Sequence, residues 1–323
     1  MRLLLFNPSN DMALASDASE YMPPKRIQEM EAEYWRIPEL IADEDDIVLS
    51  PDMMKGSFRD LAFAGSEKTV EVCPWGWSRS IRSKFRRLGL PCSLLPDDDY
   101  LDRLRRFSSR EFCARYREEF SECDGCVDNM MRVARNADDI GKHYPLMLKA
   151  LWSSSGRGNR VVHNDDELQR GGIKYPCLVD VFYDKVLDFA MEFRVCESYV
   201  EYLGLSVFKA SSEGRYELNV VDSQKNLELL IGEALRDDSA DILTILKDRH
   251  LQLLSEHLAG QYAGPVGIDM MVVDVDGKRL VHPCVELNFR MNMGILAIEI
   301  QKRYGSEVKA ISLDILKKMI DGK

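Results

Sequence analysis

Residues 285–290 read Val-Glu-Leu-Asn-Phe-Arg. The alternation puts Glu286, Asn288 and Arg290 on one face of a strand, because successive side chains point to opposite sides. A carboxylate, an amide oxygen and a fixed cation in a row suit a divalent metal that holds polyphosphate. Hard cations take oxygen ligands, and a guanidinium grips phosphate oxygens. Alone, the pattern is also what any half-exposed strand shows. The run before it shifts the balance. Residues 266–274 form a second apolar run, and Asp276-Gly277 between the two is a strong two-residue hairpin signal. With that turn, Val275 pairs with Lys278, Asp269 lies opposite Cys284, and Glu286 is the diagonal same-face neighbour of Asp269. Diagonal neighbours sit about 7–8 Å apart, within reach of a shared metal ion and too close for two unneutralised buried anions.

Composition frames this hairpin. The 323 residues are 45% hydrophobic and 30% charged, enough for two or three compact units. A net charge of −11 leaves no broad basic surface, so we expect small-molecule partners, not nucleic acid or an anionic membrane. Residues 2–6 are apolar, but the run stops at Asn7-Pro8, short of a signal-peptide core or a membrane span. Eight scattered cysteines fit reduced thiols in the cytoplasm. Cys123 and Cys126 form a lone Cys-x-x-Cys pair, without the second pair or nearby His that a zinc site needs.

Residues 1–107 alternate strands near 2–6, 46–49, 70–73 and 91–95 with helical segments at 25–42, 52–64 and 78–88, an α/β order with a mostly parallel sheet. The remainder reads as α+β with antiparallel strands. Strands are expected at 146–151, 160–163, 177–183, 187–196 and 199–209. Helices are expected at 223–235, 239–260, 293–304 and 307–321.

Lys149 ends the strand Pro145-Leu-Met-Leu-Lys, and Ser153-Ser154-Ser155-Gly156-Arg157-Gly158 follows. Small residues let a backbone close over phosphates, and a nearby Lys adds a point charge; a plain Ser/Gly hairpin would look the same. In 187–196, Leu187, Phe189, Met191, Phe193 and Val195 take one side. Glu192 and Arg194 take the other, where an exposed ion pair would account for them. Asn7 and Asn10 follow the first strand, where open α/β sheets place ligands. Trp75 and Trp77 follow another strand, as a pocket floor or as packing under a loop. The five histidines have no metal-type spacing, and no nucleophile–His–acid set stands out.

Taken in order, a strand Lys, a Ser/Gly loop, a hinge, an Arg-bearing strand, Gly267-Ile-Asp-Met and Glu286-x-Asn288-x-Arg290 resemble the ATP-grasp superfamily over residues 108–323. The resemblance implies a Rossmann-like α/β domain (1–107) before an α+β ATP-grasp domain of two subdomains, 108–179 with the glycine loop and 180–323 with the metal site. It implies that Lys149 contacts phosphates and that residues 153–158 cover them. Asp180, Val181, Phe182 and Tyr183 would form the adenine hinge. Asp269, Glu286 and Asn288 would hold Mg²⁺, or Mn²⁺ in its place, and Arg194 and Arg290 would stabilise the transferring phosphoryl group or the acceptor. Arg110 stands where many members carry a first phosphate-binding Lys, and Asp180 where the hinge acid is usually Glu. Lys209, Tyr216 and Asn219 lie in a segment that often borders the acceptor. The activity implied is ATP-dependent ligation, with a carboxylate activated as an acyl phosphate for attack by an amine or similar nucleophile. A phosphotransferase and a nucleotide-binding module without turnover are the alternatives.

Overall fold

Asp276 and Gly277 make the predicted turn. Both have positive φ, 53° and 83°, which a two-residue hairpin turn of this hand demands, and the Gly277 N–H donates to Asp274 Oδ1 at 2.7 Å. Val275 pairs with Lys278 and the register runs as expected to Met271 opposite His282. There it shifts by two residues, so that Asp269 lies directly opposite Glu286, not Cys284. Pro283 explains the shift, since it has no N–H for the ladder and is tolerated within a strand pair mainly at a bulge. A shift of two keeps the faces, so Glu286 still points the same way as Asp269.

The computed structural model describes residues 1–56, 58, 70–152, 158–170, 172–211, 216–236 and 239–322. Strands β1 (Arg2–Leu5), β2 (Ile47–Val48) and β3 (Glu71–Pro74) form a parallel three-stranded sheet in the order β2-β1-β3. Helices α1 (Asn10–Ser16), α2 (Lys25–Tyr34) and α3 (Arg79–Arg87) accompany it. The fourth strand expected near 91–95 is instead a 3-10 turn at Cys92–Leu94, entered through Pro91. The helix expected over 25–42 ends at Tyr34, and a separate 3-10 turn at Ile37–Leu40 carries Pro38. Of the helix expected at 52–64, the described part is a 3-10 turn at Met53–Lys55.

Helices α4 (Asp98–Phe107) and α5 (Arg110–Glu118) lead into two antiparallel sheets. The first holds β4 (Arg132–Ala134), β5 (Leu146–Ala150), β6 (Arg160–Val162) and β7 (Cys177–Val181) in the order β4-β7-β5-β6, with helix α6 at Asp165–Gln169. The second holds β8 (Asp184–Val195), β9 (Val200–Ala210), β10 (Tyr216–Val220), β11 (Gly264–Val275), β12 (Lys278–Asn288) and β13 (Ala310–Ile311) in the order β12-β11-β8-β9-β10-β13. Helices α7 (Gln224–Leu235), α8 (Ser239–Leu258), α9 (Met293–Tyr304) and α10 (Leu313–Asp321) complete the chain.

The six-stranded sheet has two unlike faces. Phe189, Met191, Phe193 and Val195 from β8, with Ile268, Met270 and Val272 from β11, are buried in the largest core, together with residues of α4, α5, α7 and α8. On the opposite face a second core joins Phe6, Tyr34 and Trp75 of the N-terminal unit to Leu296, Ile300 and Leu316 of α9 and α10. The N-terminal unit therefore stands over the polar face of the sheet, and what sequence alternation marks as outward-facing becomes the lining of a half-open cleft.

Candidate functional site

Two cross-strand rows build the site. In one, Ser206, Ala190, Asp269 and Glu286 stand side by side on β9, β8, β11 and β12; in the next, Glu192, Gly267 and Asn288 do so on β8, β11 and β12. These rows line a cavity of about 310 Å³, closed on the other side by Phe6, Pro8, Asp11, Met30 and Trp75.

Asp269 and Glu286 face each other as like charges. Burial pushes the Asp269 carboxyl up, and the charges of Glu286 and Glu192 push it further, to about 8, against the Asn288 hydrogen bond and Arg290. The Asn288 amide nitrogen donates to Asp269 Oδ2 at 3.1 Å, and its oxygen accepts from Arg290 Nη2 at 3.1 Å. Arg290 in turn forms a forked pair with Asp11, Nε to Oδ1 and Nη2 to Oδ2 at 2.8 Å each. Two opposed carboxylates beside an amide oxygen are a hard-donor set; Arg110 pairs with Glu286 and Arg290 with the Asn288 oxygen, and among the described residues no cation pairs directly with Asp269, so the residues present fit Mg²⁺ or Mn²⁺.

Arg110 is 3% exposed and donates from Nη2 to Glu286 Oε1 at 2.7 Å and from Nη1 to the Ala150 carbonyl at 2.6 Å. It thus ties the end of the Lys149 strand to the metal strand. Lys149 and Asp180 are both buried on the four-stranded sheet. Asp180 Oδ2 meets His282 Nε2 of β12 at 3.2 Å, a contact between the two antiparallel sheets. Burial lowers the His282 pKa. In Asp180 burial is outweighed by His282 and by the Lys149 charge, which hold the carboxyl below its ordinary value. In this conformation Asp180 is spent inside the structure and also accepts from the Val181 N–H at 2.9 Å. Phe182 and Tyr183 connect β7 to β8, and the Tyr183 ring meets His282 edge-on.

The other predicted residues divide. Tyr216 and Asn219 line the cavity, and Asn219 Oδ1 is buried with no protein partner. Lys209 does not line it; it is 71% exposed and pairs with Glu217, while its neighbours Phe208 and Ala210 face inward. Arg194 shares the parity of Glu192 but is exposed at the end of β8, outside the cavity, so the phosphoryl-stabilising role expected of it has no geometric support. Asn7 and Asn10 are buried away from the cavity. Asn7 Nδ2 donates to the Gly76 carbonyl at 2.8 Å, and Asn10 packs where a Cβ on Gly76 would stand. They brace the loop after β3, and Pro8 and Asp11 between and beside them line the cavity instead. Trp75 lines the cavity and packs edge-on against Phe6, whereas Trp77 packs on Phe85. Residues 153–157 of the predicted glycine loop lie outside the described residues; Gly158 is described, with φ of 78°.

No protein-family model and no curated protein sequence matches the chain. Solved structures do. Biotin carboxylase from Campylobacter jejuni, solved as a complex with beta-gamma-ATP, aligns with a TM-score of 0.51 at 14% identity, over 99% of this chain and 70% of that one. Pyruvate carboxylase from Rhizobium etli gives 0.51 at 14% identity, over 100% of this chain and 28% of the other. The chain has the ATP-grasp fold. An L-amino acid ligase from Bacillus licheniformis aligns at 0.43 and 16% identity over 70% of this chain, which spans half the length of that protein. In the ATP-grasp fold of this chain, His282 and Asp180 join the two antiparallel sheets, and the Asp269–Glu286 pair stands beside the roofed cavity.

Sequence reasoning missed Glu192 and Asp11. Glu192 is 1% exposed, not a surface partner of Arg194. Ser206 Oγ donates to its Oε1 at 2.9 Å and Asn292 Nδ2 to its Oε2 at 2.8 Å. Burial raises its pKa to about 7, against those hydrogen bonds and the Arg290 charge. The signal was present in Gly267 and Gly294. A Cβ at Gly294 would sit 2.0 Å from Glu192 Oε1, and one at Gly267 would sit 2.6 Å from Oε2.

Proposed function

We propose that this chain is an ATP-dependent ligase that activates a carboxylate as an acyl phosphate for attack by an amine or similar nucleophile. The observation that carries the reading is the opposed pair Asp269 and Glu286, with Asn288 and Arg290 on the same strand end, lining a half-open cavity of about 310 Å³. On one side of that pair lie Lys149, Asp180 and His282 between two sheets; on the other lies the roofed chamber. Nucleotide on the first side and acceptor in the second would meet at the carboxylate pair.

Asp269, Glu286 and Asn288 hold Mg²⁺, or Mn²⁺, which when bound neutralises the charge on the phosphates and on the transferring group. Lys149 and Arg110 contact phosphate, and the segment Asp180 to Tyr183 borders the adenine. Arg290, held by Asp11, stabilises the charge that develops on the transferred phosphoryl group and the acyl phosphate. The wall supplied by the N-terminal unit narrows the access of water to the acyl phosphate, whose hydrolysis would waste ATP. In this reading residues 1–107 are a Rossmann-like domain that supplies one wall of the acceptor site, 108–179 and 180–323 are the two grasping subdomains, and the enzyme works on small molecules in the cytoplasm. The biotin carboxylase complex with beta-gamma-ATP supports ATP as the nucleotide.

The test is incubation with Mg·ATP, a panel of carboxylic acids and hydroxylamine, scored for hydroxamate and ADP. A ligase forms hydroxamate with at least one acid, and Glu286→Gln lowers that rate at least about 100-fold with an unchanged circular dichroism spectrum. ADP and a stable phosphorylated product without hydroxamate mark a phosphotransferase. Nucleotide binding without ADP release marks a module without turnover. Unchanged turnover in Glu286→Gln removes the metal assignment.

A further inference from the structure

Cys123 and Cys126 lie between α5 and β4, away from the cavity, and the ligase reading makes no use of them. The Cys126 N–H donates to the Cys123 carbonyl at 3.1 Å, so the pair closes a four-residue turn. Gly125 takes its third position with φ of 81°, the positive value that a type II turn requires there. Such a turn holds its end Cα atoms within about 7 Å of each other, the range that a disulfide spans. The sulfurs already touch, with Cys126 Sγ donating to Cys123 Sγ at 3.2 Å. The turn is also strapped down. Val281 of β12 donates its N–H to the Gly125 carbonyl and accepts from the Val127 N–H, at 2.9 Å each, which docks the turn on the outer edge of the six-stranded sheet. Two thiols held this way need little rearrangement to join.

The surroundings make the two sulfurs unequal. Arg117 of α5 is 1% exposed; its Nη2 donates to the Val127 carbonyl, and its Nη1 is buried with no protein partner. Among the described residues it forms no ion pair, whereas Arg249 nearby is paired with Glu119. The hydrogen bond from Cys126, with the charges of Arg117 and Arg249, holds the Cys123 thiol below its ordinary value against burial and Asp124. Donation to Cys123 and burial push Cys126 the other way, so it keeps its proton while Cys123 gives one up. Both residues are partly exposed and open to a dissolved reagent. A second thiol pair, Cys113 and Cys284 at 3.5 Å, is buried, and burial pushes the Cys284 thiol up. Contact between sulfurs is common to both pairs; access and an attacking thiolate belong to Cys123 and Cys126 alone.

We propose that Cys123 and Cys126 form a reversible dithiol–disulfide site whose substrate is a low-molecular-weight disulfide, with Cys123 as the attacking sulfur and Cys126 as the resolving one. The Cys123 thiolate attacks one sulfur of R–S–S–R; the bond between the two R–S groups breaks, a Cys123–S–S–R bond forms, and R–S⁻ leaves and takes up a proton. Cys126 then loses its proton and attacks the Cys123 sulfur, expelling the second R–S⁻, which is protonated in turn. Two protein thiols are oxidised to one disulfide, and R–S–S–R is reduced to two R–SH. Excess thiol runs the same steps backwards. A transient pair of this kind suits a reducing compartment, where lasting disulfides are rare. The site stands whether or not the ligase reading holds.

The experiment treats the reduced full chain at pH 7 with glutathione disulfide, quenches with acid, alkylates the remaining thiols and maps tryptic peptides by mass spectrometry. The peptide 118–132 contains both cysteines and no other. It should lose two hydrogens and escape alkylation, and dithiothreitol added to the native protein should reverse this. Cys126→Ser should stop at the glutathione adduct of Cys123. That adduct should form at least about threefold faster than the adduct of Cys126 in Cys123→Ser, because the gain in thiolate fraction is partly offset by the weaker nucleophilicity of a less basic thiolate. A pair that stays reduced in glutathione disulfide overturns the proposal, as does a disulfide that dithiothreitol leaves closed in the native protein. Capture on Cys126 as fast as on Cys123 overturns the assignment of roles. The wild-type peptide decides the matter even if a variant fails to fold.

Discussion

Gly294→Ala is the sharpest probe of how the cavity is built. The added Cβ would lie 2.0 Å from Glu192 Oε1, 2.9 Å from its Cδ and 2.4 Å from Ser206 Oγ. The whole carboxyl group must therefore move by more than an ångström, out of reach of Ser206 and Asn292, which now donate to it at 2.9 and 2.8 Å. Two hydrogen bonds to a charged group, at about 1.5 kcal/mol each, are lost. Against this, Ala is favoured over Gly in a helix by up to about 1 kcal/mol, and residue 294 belongs to α9. The net expectation is a loss of about 2 kcal/mol, within the usual range for overpacking. Because the cost comes from one named side chain, it should vanish when that side chain is shortened. In a Glu192→Ala background Gly294→Ala should cost nothing or stabilise slightly, a coupling of about 2–3 kcal/mol. Urea unfolding of the four proteins of this cycle, followed by tryptophan fluorescence, gives the number. A cost that is the same in both backgrounds, within about 0.5 kcal/mol, refutes the cradle.

Two further outcomes follow from titratable groups. The Asp269 carboxyl, raised to about 8 by burial and by Glu286, binds its proton more tightly in the folded than in the unfolded chain, so metal-free stability falls as pH rises from about 4 towards 8. Metal ligation needs the ionised form, so Mg²⁺ binding at pH 7 should release close to one proton; titration calorimetry in buffers of different ionisation enthalpy reads this, and zero release would contradict it. At the other end of the molecule, Asp46 accepts from the Arg2 backbone N–H and side chain, which outweigh burial and lower its carboxyl to about 2. Asp46→Asn should cost about 1–2 kcal/mol at pH 7, a figure reduced because Arg2 is partly open to solvent. The contribution is complete above the ordinary carboxylate range and is lost as pH falls through about 2. Denaturation at pH 7 and at pH 2.5 checks it, and an equal difference at both would argue against the ion pair.

The hairpin that carries Asp269 and Glu286 was legible because its signals are local. A two-residue turn needs positive φ at both positions, and Asp-Gly announces it. The register beyond Met271 was not legible in detail, although Pro283 was in view; a missing N–H says that the ladder breaks but not by how many residues. Arg110 and Lys149 were found by position in a motif, but the Glu286 carboxylate that Arg110 meets, and the His282 that meets Asp180 beside the Lys149 strand, come from the other antiparallel sheet, which sequence spacing cannot bring together. Glu192 was misread for a different reason. Alternation gives two faces of a strand and names the apolar one as core, but it cannot say that a separate unit will cover the other. Asn7 and Asn10 show the converse: the loop after the first strand does border the cavity, and yet Asn7 bonds the Gly76 backbone and Asn10 packs against Gly76 while Asp11 lines the cavity.

The clasp between Asp11 and Arg290 joins residues 279 positions apart. During synthesis the N-terminal unit leaves the ribosome long before its counter-ion is made, and folding of the first strands proceeds with Asp11 still open to water. The chamber also needs Leu313 of α10, so its walls come together only when nearly the whole sequence has emerged. A nascent chain can thus form its parallel sheet and its first antiparallel sheet without owning this cavity. The cavity is complete only once its N-terminal and C-terminal walls have docked, and slow or failed docking would yield protein that keeps its secondary structure while lacking the cavity.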